Sequence, residues 1–244
     1  MTKSIHFTAI SILLIFCFFV PGAIQATPII LNGGFESGFT SWTRANQLGS
    51  EGSFLLQSGT LSPTNGDAVP PPPGGTFAAM TDAFGPGSHV LYQDFVVPTG
   101  NAILSFSLFI GNRANSFFTP ATLDFSTPAL NQQARVDILR GGTDPFSVAP
   151  TDVLLNVYQT HAGDPLISGY STVNSDLSSL FSANTGQTLR LRFAETDNVF
   201  SFQMGVDNVS LESSAVPELS SVWLFAISLT GLVAMRRHRR LGGL

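Results

Sequence analysis

Three stretches of this chain alternate apolar and polar residues with a period of two, and that pattern limits what its middle can become. Leu104, Phe106, Leu108 and Ile110 share one phase, with Ser105 and Ser107 on the other. Leu189, Leu191 and Phe193 alternate with Arg190 and Arg192; Phe200, Phe202, Met204 and Val206 alternate with Ser201, Gln203 and Gly205. Successive strand side chains point to opposite faces, so each run reads as an antiparallel strand with one buried and one wet face. Weaker strand candidates are residues 77–80, 90–97, 135–140, 153–158 and 170–173, parted by Gly, Pro, Asn, Asp and Ser clusters. Residues 175–186 allow one helical turn, and no repeat of fixed period occurs. The expected fold is all-β, an antiparallel β-sandwich. The stretch "DAVPPPPGG" (67–75) reads as a stiff surface loop, because proline has no N–H to give a ladder.

The last strand contains a slip. Its apolar residues sit at even positions through Val206 and at odd positions from Val209 to Leu211. A strict strand would turn Val209 and Leu211 to solvent, so a β-bulge is expected within residues 205–208. Asp207 and Asn208 are the side chains such a bulge re-aims.

The chain has 244 residues, and its two ends differ from its middle. Lys3, an apolar core from Ile10 to Val20 and a small-residue end at Ala26 describe a secretory signal peptide over residues 1–26. Residues 27–213 form the expected ectodomain. A C-terminal segment, 214–244, carries an apolar stretch at 219–235 and then Arg236, Arg237, Arg239 and Arg240. As a helix, that stretch would span roughly 26 Å, short of a hydrocarbon core of about 30 Å. The arginines place the C-terminus in the cytoplasm by the positive-inside rule, and the exported domain outside.

The ectodomain holds 15 of the 16 acidic residues, six arginines and no lysine, a net charge close to −9. Nucleic-acid binding is therefore not expected, since that affinity comes from Lys and Arg on phosphates. The single cysteine, Cys17, lies in the signal segment, which removes disulfides, thiol nucleophiles and Cys-based metal sites from the domain.

No hydrolase elbow, zinc motif or phosphate loop is present. His161, three residues before Asp164, reads as a solvated loop histidine, and Asp124, Asp137, Asp152 and Asp176 read as turn or strand-edge carboxylates. We therefore expect no enzyme. Sugar binding uses exposed aromatic rings, for which Trp42, Tyr92, Tyr158 and Tyr170 are the candidates. Trp42 also suits a cap on the core; Tyr158 lies out of phase with Val153, Leu155 and Val157, which favours an exposed ring.

Both edges of the ectodomain carry a resemblance. "PIILNGGFESGFTSWT" (28–43) resembles the opening strand, and "FQMGVDNVSLES" (202–213) the closing strand, of the carbohydrate-binding-module type of galactose-binding-like jelly roll. In that family the two strands pair and often hold a structural calcium, which the resemblance puts at Glu36 and Asp207. The tail resembles the PEP-CTERM sorting signal, with Val216, Pro217, Glu218 and Leu219 as its motif and leucine replacing the second proline. That resemblance implies an exosortase-type membrane processing enzyme as partner, transient residence in the inner membrane, and delivery to the cell surface or extracellular matrix. The combined expectation is a non-catalytic envelope or matrix protein associated with extracellular polysaccharide. A purely structural surface protein on a single-pass anchor is the alternative, and a carbohydrate-active enzyme the second.

Overall fold

The computed structural model describes residues 27–214, which form two antiparallel sheets packed face to face. The first runs β3 (Ser53–Gln57), β4 (Ala78–Asp82), β11 (Phe202–Ser214), β6 (Asn101–Asn112) and β9 (Ser171–Asp176), with β1 (Thr27–Pro28) also paired to β11. The second runs β2 (Thr43–Asn46), β5 (Gly87–Val96), β10 (Thr188–Asp197), β7 (Gln132–Arg140) and β8 (Val153–Gln159). From β4 to β7 the chain crosses between sheets at each step, and β10 and β11 return to the middle of each, as in a jelly roll. The signal segment 1–26, the sorting motif 216–219, the apolar stretch 219–235 and the basic tail 236–240 lie outside the described residues. Among the described residues no helix is long and apolar enough to cross a membrane.

The alternating runs do what their period requires. Leu104, Phe106, Leu108 and Ile110 face Leu189, Leu191, Phe193, Val136 and Ile138 across the interior. Phe106 meets Phe193 edge-on, with centroids 5.3 Å apart. Such a pair adds about 1 kcal/mol beyond the area it removes from water. The one helix among the described residues, α1 (Ser178–Asn184), falls within residues 175–186 and closes one end by setting Phe181 against Phe95, 5.9 Å away.

The slip in the last strand is a bulge. The β11–β6 register shifts between Asp207 and Ser210, Asn208 takes φ 50°, and Val209 and Leu211 return to the core. Asparagine tolerates that left-handed conformation better than most residues, because its short polar side chain bonds locally.

Three expectations fail, each for a local reason. Phe200 is not an inward strand residue: it precedes β11 in a turn and is 62% exposed. Tyr158 packs against the core instead of solvent, because the β7–β8 register shifts between Val136 and Asp137 and leaves Val157 unpaired. That bulge sets Tyr158 opposite inward-facing Val136. The face carrying Arg190 and Arg192 is not wet: loops cover it and both side chains are buried. β2 and β3 have no counterpart in the sequence reading.

The connections define two ends. At one, β1 meets the end of β11 (Thr27 beside Ser213) and the β5–β6 turn crosses between sheets, so the described chain both begins and stops there. At the other, residues 83–86 join β4 to β5 and residues 198–201 join β10 to β11. The 13 residues of β11 separate these ends by about 40 Å at the rise of a strand.

Candidate functional site

Three places gather side chains of chemical interest: a clasp between the first and last strands, the outer face of the second sheet, and the loop end just described.

The clasp brings Glu36 and Asp207 together. Glu36 sits after a tight turn in which Asn32 and Phe35 take positive φ, and its Oε1 accepts the N–H groups of Thr76 and Phe77 at 2.8 and 2.9 Å. Asp207, aimed by the bulge, accepts from Gly74 N at 3.1 Å and Asn208 N at 2.6 Å. The polyproline loop is thus pinned at its glycine end by both carboxylates. Gly75, at φ +59°, has no room for a side chain, because a Cβ there would overlap the Glu36 carboxylate. Burial first, and then the nearby Glu36, push the Asp207 carboxyl up to about 6. Two neighbouring carboxylates, one with its Oε2 free of hydrogen bonds among the described residues, fit the donor chemistry of calcium. The ion takes about six to eight oxygens, and among the described residues no three His, Cys, Asp or Glu side chains converge on one point. Carbonyl oxygens would have to complete such a shell.

Most of the outer face of the second sheet is already filled. Arg192 donates Nη1 to the Pro145 and Ser147 carbonyls, both at 2.7 Å, and Nη2 to Asp137. Arg135 grips the same carboxylate through Nε at 2.8 Å and Nη2 at 2.7 Å. Burial alone would raise the Asp137 carboxyl, but the two guanidiniums outweigh it and hold it below its usual value. Burial also pulls Arg192 down, from a value so far above neutrality that the guanidinium stays charged. Asp137 is therefore a central buried anion and not a strand-edge carboxylate. Farther along, Arg190 binds Asp94 through two nitrogens and lies 3.9 Å from the Tyr92 ring centre. Leu123, Phe146 and Val148 close over Val90 and Ala194. The part of the face from Val90 and Ala194 to Arg192 is thus covered, while Val96 at the end of β5 stays exposed.

The four rings named from sequence are accordingly all taken. Trp42 is buried, donates Nε1 to the Asn32 carbonyl and contacts Phe35 and Phe193. Tyr92 carries Arg190, Tyr170 packs on Phe109, and Tyr158 is turned inward. Among the described residues the exposed rings are instead Phe84 (80%) and Phe200 (62%), which sequence reasoning missed. Both line one pocket of about 260 Å³ at the loop end, with Ala83, Gly85, Pro86, Asp197 and Ser201.

Behind that pocket stand three carboxyl groups. Asp197, only 6% exposed, accepts the Gly87 N–H at 2.9 Å. Burial, with Asp82 adding to it, pushes its carboxyl up to about 7. Glu195, 1% exposed, is raised well above its usual value by burial and by Asp197 and Asp82. Asp82 accepts from Thr64 N, Asn65 N and Gln203 Nε2. His89 is pushed down to about 4 by burial, so at neutral pH it carries no charge to offset them. His161 is solvated on a loop, its N–H bonded to Asp164, as its sequence context suggests. Asp124 and Asp152 lie in turns, and Asp176 ends β9.

No protein-family model and no curated protein matches the chain. Among solved structures it is similar to the carbohydrate-binding module TmCBM61 in complex with β-1,4-galactotriose, at 11% identity and TM-score 0.45, over 77% of this chain and 99% of that one. It is similar at 16% identity and TM-score 0.45 to the K3 cleaved adhesin domain of Lys-gingipain from Porphyromonas gingivalis, over 75% and 99%. A Stig cyclase from Fischerella reaches 20% identity and TM-score 0.43, over 79% and 100%. Likenesses at these scores say nothing of ligand or chemistry.

Proposed function

We propose that the chain is an exported, non-catalytic glycan-binding module that holds extracellular polysaccharide at its loop end. The observation that carries this reading is the pair of exposed rings, Phe84 and Phe200, on one pocket. A sugar offers an apolar face for an aromatic ring, and rings left in water have surface to bury on binding. Position adds support. Both ends of the described chain lie at the far end of the sandwich, so a domain tethered through its C-terminus would present the pocket outward. Glycosidic hydrolysis needs two carboxyl groups at the substrate. Here Asp197 lines the pocket while Glu195 is sealed behind it, which favours binding over catalysis. Titration calorimetry against the producer's polysaccharide should show binding, and Phe84→Ala or Phe200→Ala should weaken it about tenfold, the loss of a partly buried ring. Unchanged affinity in both variants would remove the pocket from the reading.

The tail gives this module its address. In the proposed sequence of events, residues 219–235 hold the chain in the inner membrane, Arg236, Arg237, Arg239 and Arg240 stay on the cytoplasmic side, and an exosortase-type enzyme cuts near 216–219. Mass spectrometry of surface material should then find a C-terminus close to Leu219. A chain still ending at Leu244 would mean a permanent anchor.

Calcium at Glu36 and Asp207 would brace the clasp, by replacing the repulsion between the two carboxylates with attraction. Calcium at about a hundred times its dissociation constant would add about 2.7 kcal/mol, so chelation should lower the melting temperature by roughly 5–10 °C. Asp207→Ala should abolish that response. A melting temperature indifferent to chelator would end the metal proposal.

A further inference from the structure

The loop-end pocket combines two features that a neutral sugar does not need together: exposed aromatic rings and an acidic surround with no cation in its lining. Its lining contains Phe84, Phe200 and Asp197 but neither lysine nor arginine. Glu51, in the loop between β2 and β3, sets its carboxylate against Gly85 of the lining, where a side chain on that glycine would go. Asp82 and Glu195 back Asp197 from β4 and β10. Arg113 is nearby, its N–H on the Ser201 carbonyl, but its guanidinium is engaged by Gln203, the Ala68 carbonyl and Asp67.

We infer that this pocket selects glycan units bearing a free ammonium group, as in an N-deacetylated hexosamine, with the ammonium set between the Phe84 and Phe200 rings and the Asp197 carboxylate. The inference rests on the glycan-binding reading above and names its ligand class. The face of an aromatic ring carries negative quadrupole and attracts cations, most strongly where water is excluded. A carboxylate beside the rings adds charge that an N-acetyl group cannot use. The same ligand relieves Asp197: its ionised form lies buried near Asp82 and Glu195, beside an uncharged His89. Ammonium binding is therefore coupled to release of the Asp197 proton, and affinity rises from pH 5 toward neutrality, then falls as the sugar amine loses its own proton.

The experiment compares glucosamine oligomers with their N-acetylated counterparts by titration calorimetry, on the full chain in mild detergent and in two buffers of different ionisation enthalpy. The expected result at pH 6, where Asp197 is still largely protonated and the sugar amine largely charged, is at least tenfold tighter binding of the amine form, with net proton release. Asp197→Asn should erase both the preference and the proton release. Phe84→Ala should weaken both oligomers. Equal affinity for the two oligomers would overturn the inference and leave the pocket a neutral glycan site. Binding of neither would overturn the glycan reading, and this inference with it. A preference that survives Asp197→Asn and vanishes in 0.5 M salt would also overturn it, as diffuse attraction to an acidic domain.

Discussion

Replacing Asp137 by alanine should remove a large share of the domain's stability, about 3–5 kcal/mol, the cost of breaking a buried ion pair from one side. Asp137 is fully buried and accepts from Arg135, Arg192 and Asn156. Removing it leaves the Arg192 guanidinium sealed under residues 145–147 with only carbonyl partners, and Arg135 beside it with a like charge. Neither can shed its proton, so the charge must be solvated by opening the loop that carries Phe146 and Val148. Urea denaturation should show the midpoint falling sharply, with a smaller m-value if that loop is already open in the native state. Asp137→Asn separates charge from shape. It preserves the volume and one acceptor, so a loss nearly as large as alanine's would assign the effect to charge. A loss under about 1 kcal/mol in both variants would mean that water already reaches this face. The outer face of the second sheet would then return as a candidate ligand surface.

How far the sequence anticipates these features depends on whether a residue's role is local. Leu104 to Ile110 and Leu189 to Phe193 declare themselves, because a two-residue period can be buried in only one way. The slip at Val206–Val209 does so too, since one extra residue in a strand has one remedy. Arg190 and Arg192 show the limit of that logic. Alternation assigns them to the second face but cannot say that loops from 113–131 and 141–152 will cover it. Tyr158 fails for the same kind of reason, because a bulge in β8 reverses its phase and only pairing with β7 reveals the bulge. Glu36 and Asp207 could be paired by resemblance alone, whereas the polyproline loop clasped between them is a tertiary fact. Phe84 carries a local signal of its own. It stands in "DAFGPG", a turn with no strand neighbours to bury a ring, and an aromatic in such a place is either a loop anchor or a surface for a partner. The carboxyl cluster carries none, since Asp82, Glu195 and Asp197 meet only through strand pairing and packing of the two sheets.

That cluster produces the second large effect: the domain should be most stable in mild acid and lose stability as the pH rises through neutrality. Most domains with paired carboxylates behave the other way, as Asp137 does here, contributing stability that disappears when acid protonates it. Asp197, raised to about 7, and Glu195, raised well above its usual value, have folded-state affinities for protons above those of the unfolded chain. Their contribution is complete below about pH 4 and falls away as the pH climbs through 7, because the folded state then holds protons that the unfolded state has released. A tenfold change in proton affinity is worth about 1.4 kcal/mol, so Asp197 alone removes on the order of 4 kcal/mol between pH 4 and 7, and Asp207, raised to about 6, adds to the fall. Two groups oppose this fall on the acid side: Asp137, held below its usual value, and His89, pushed down to about 4, which withdraws stability as the pH drops below about 6.5. The decline therefore shows most clearly from about pH 6 to 8, where His89 is already neutral in both states. Urea melts in chelator from pH 4 to 9 should trace this decline, and Asp197→Asn should flatten it while leaving the acid limb set by Asp137 intact. Stability that rises between pH 5 and 8, or a slope unmoved by Asp197→Asn, would show that the cluster is solvated or already neutralised. The decline has a functional side, because Asp197 lines the pocket: any ligand that brings positive charge there should restore at pH 8 the stability that deprotonation removes. Melting temperature with and without the glucosamine oligomer, read at pH 5 and at pH 7, should therefore diverge more at pH 7, where Asp197 is partly ionised and the sugar amine still partly charged.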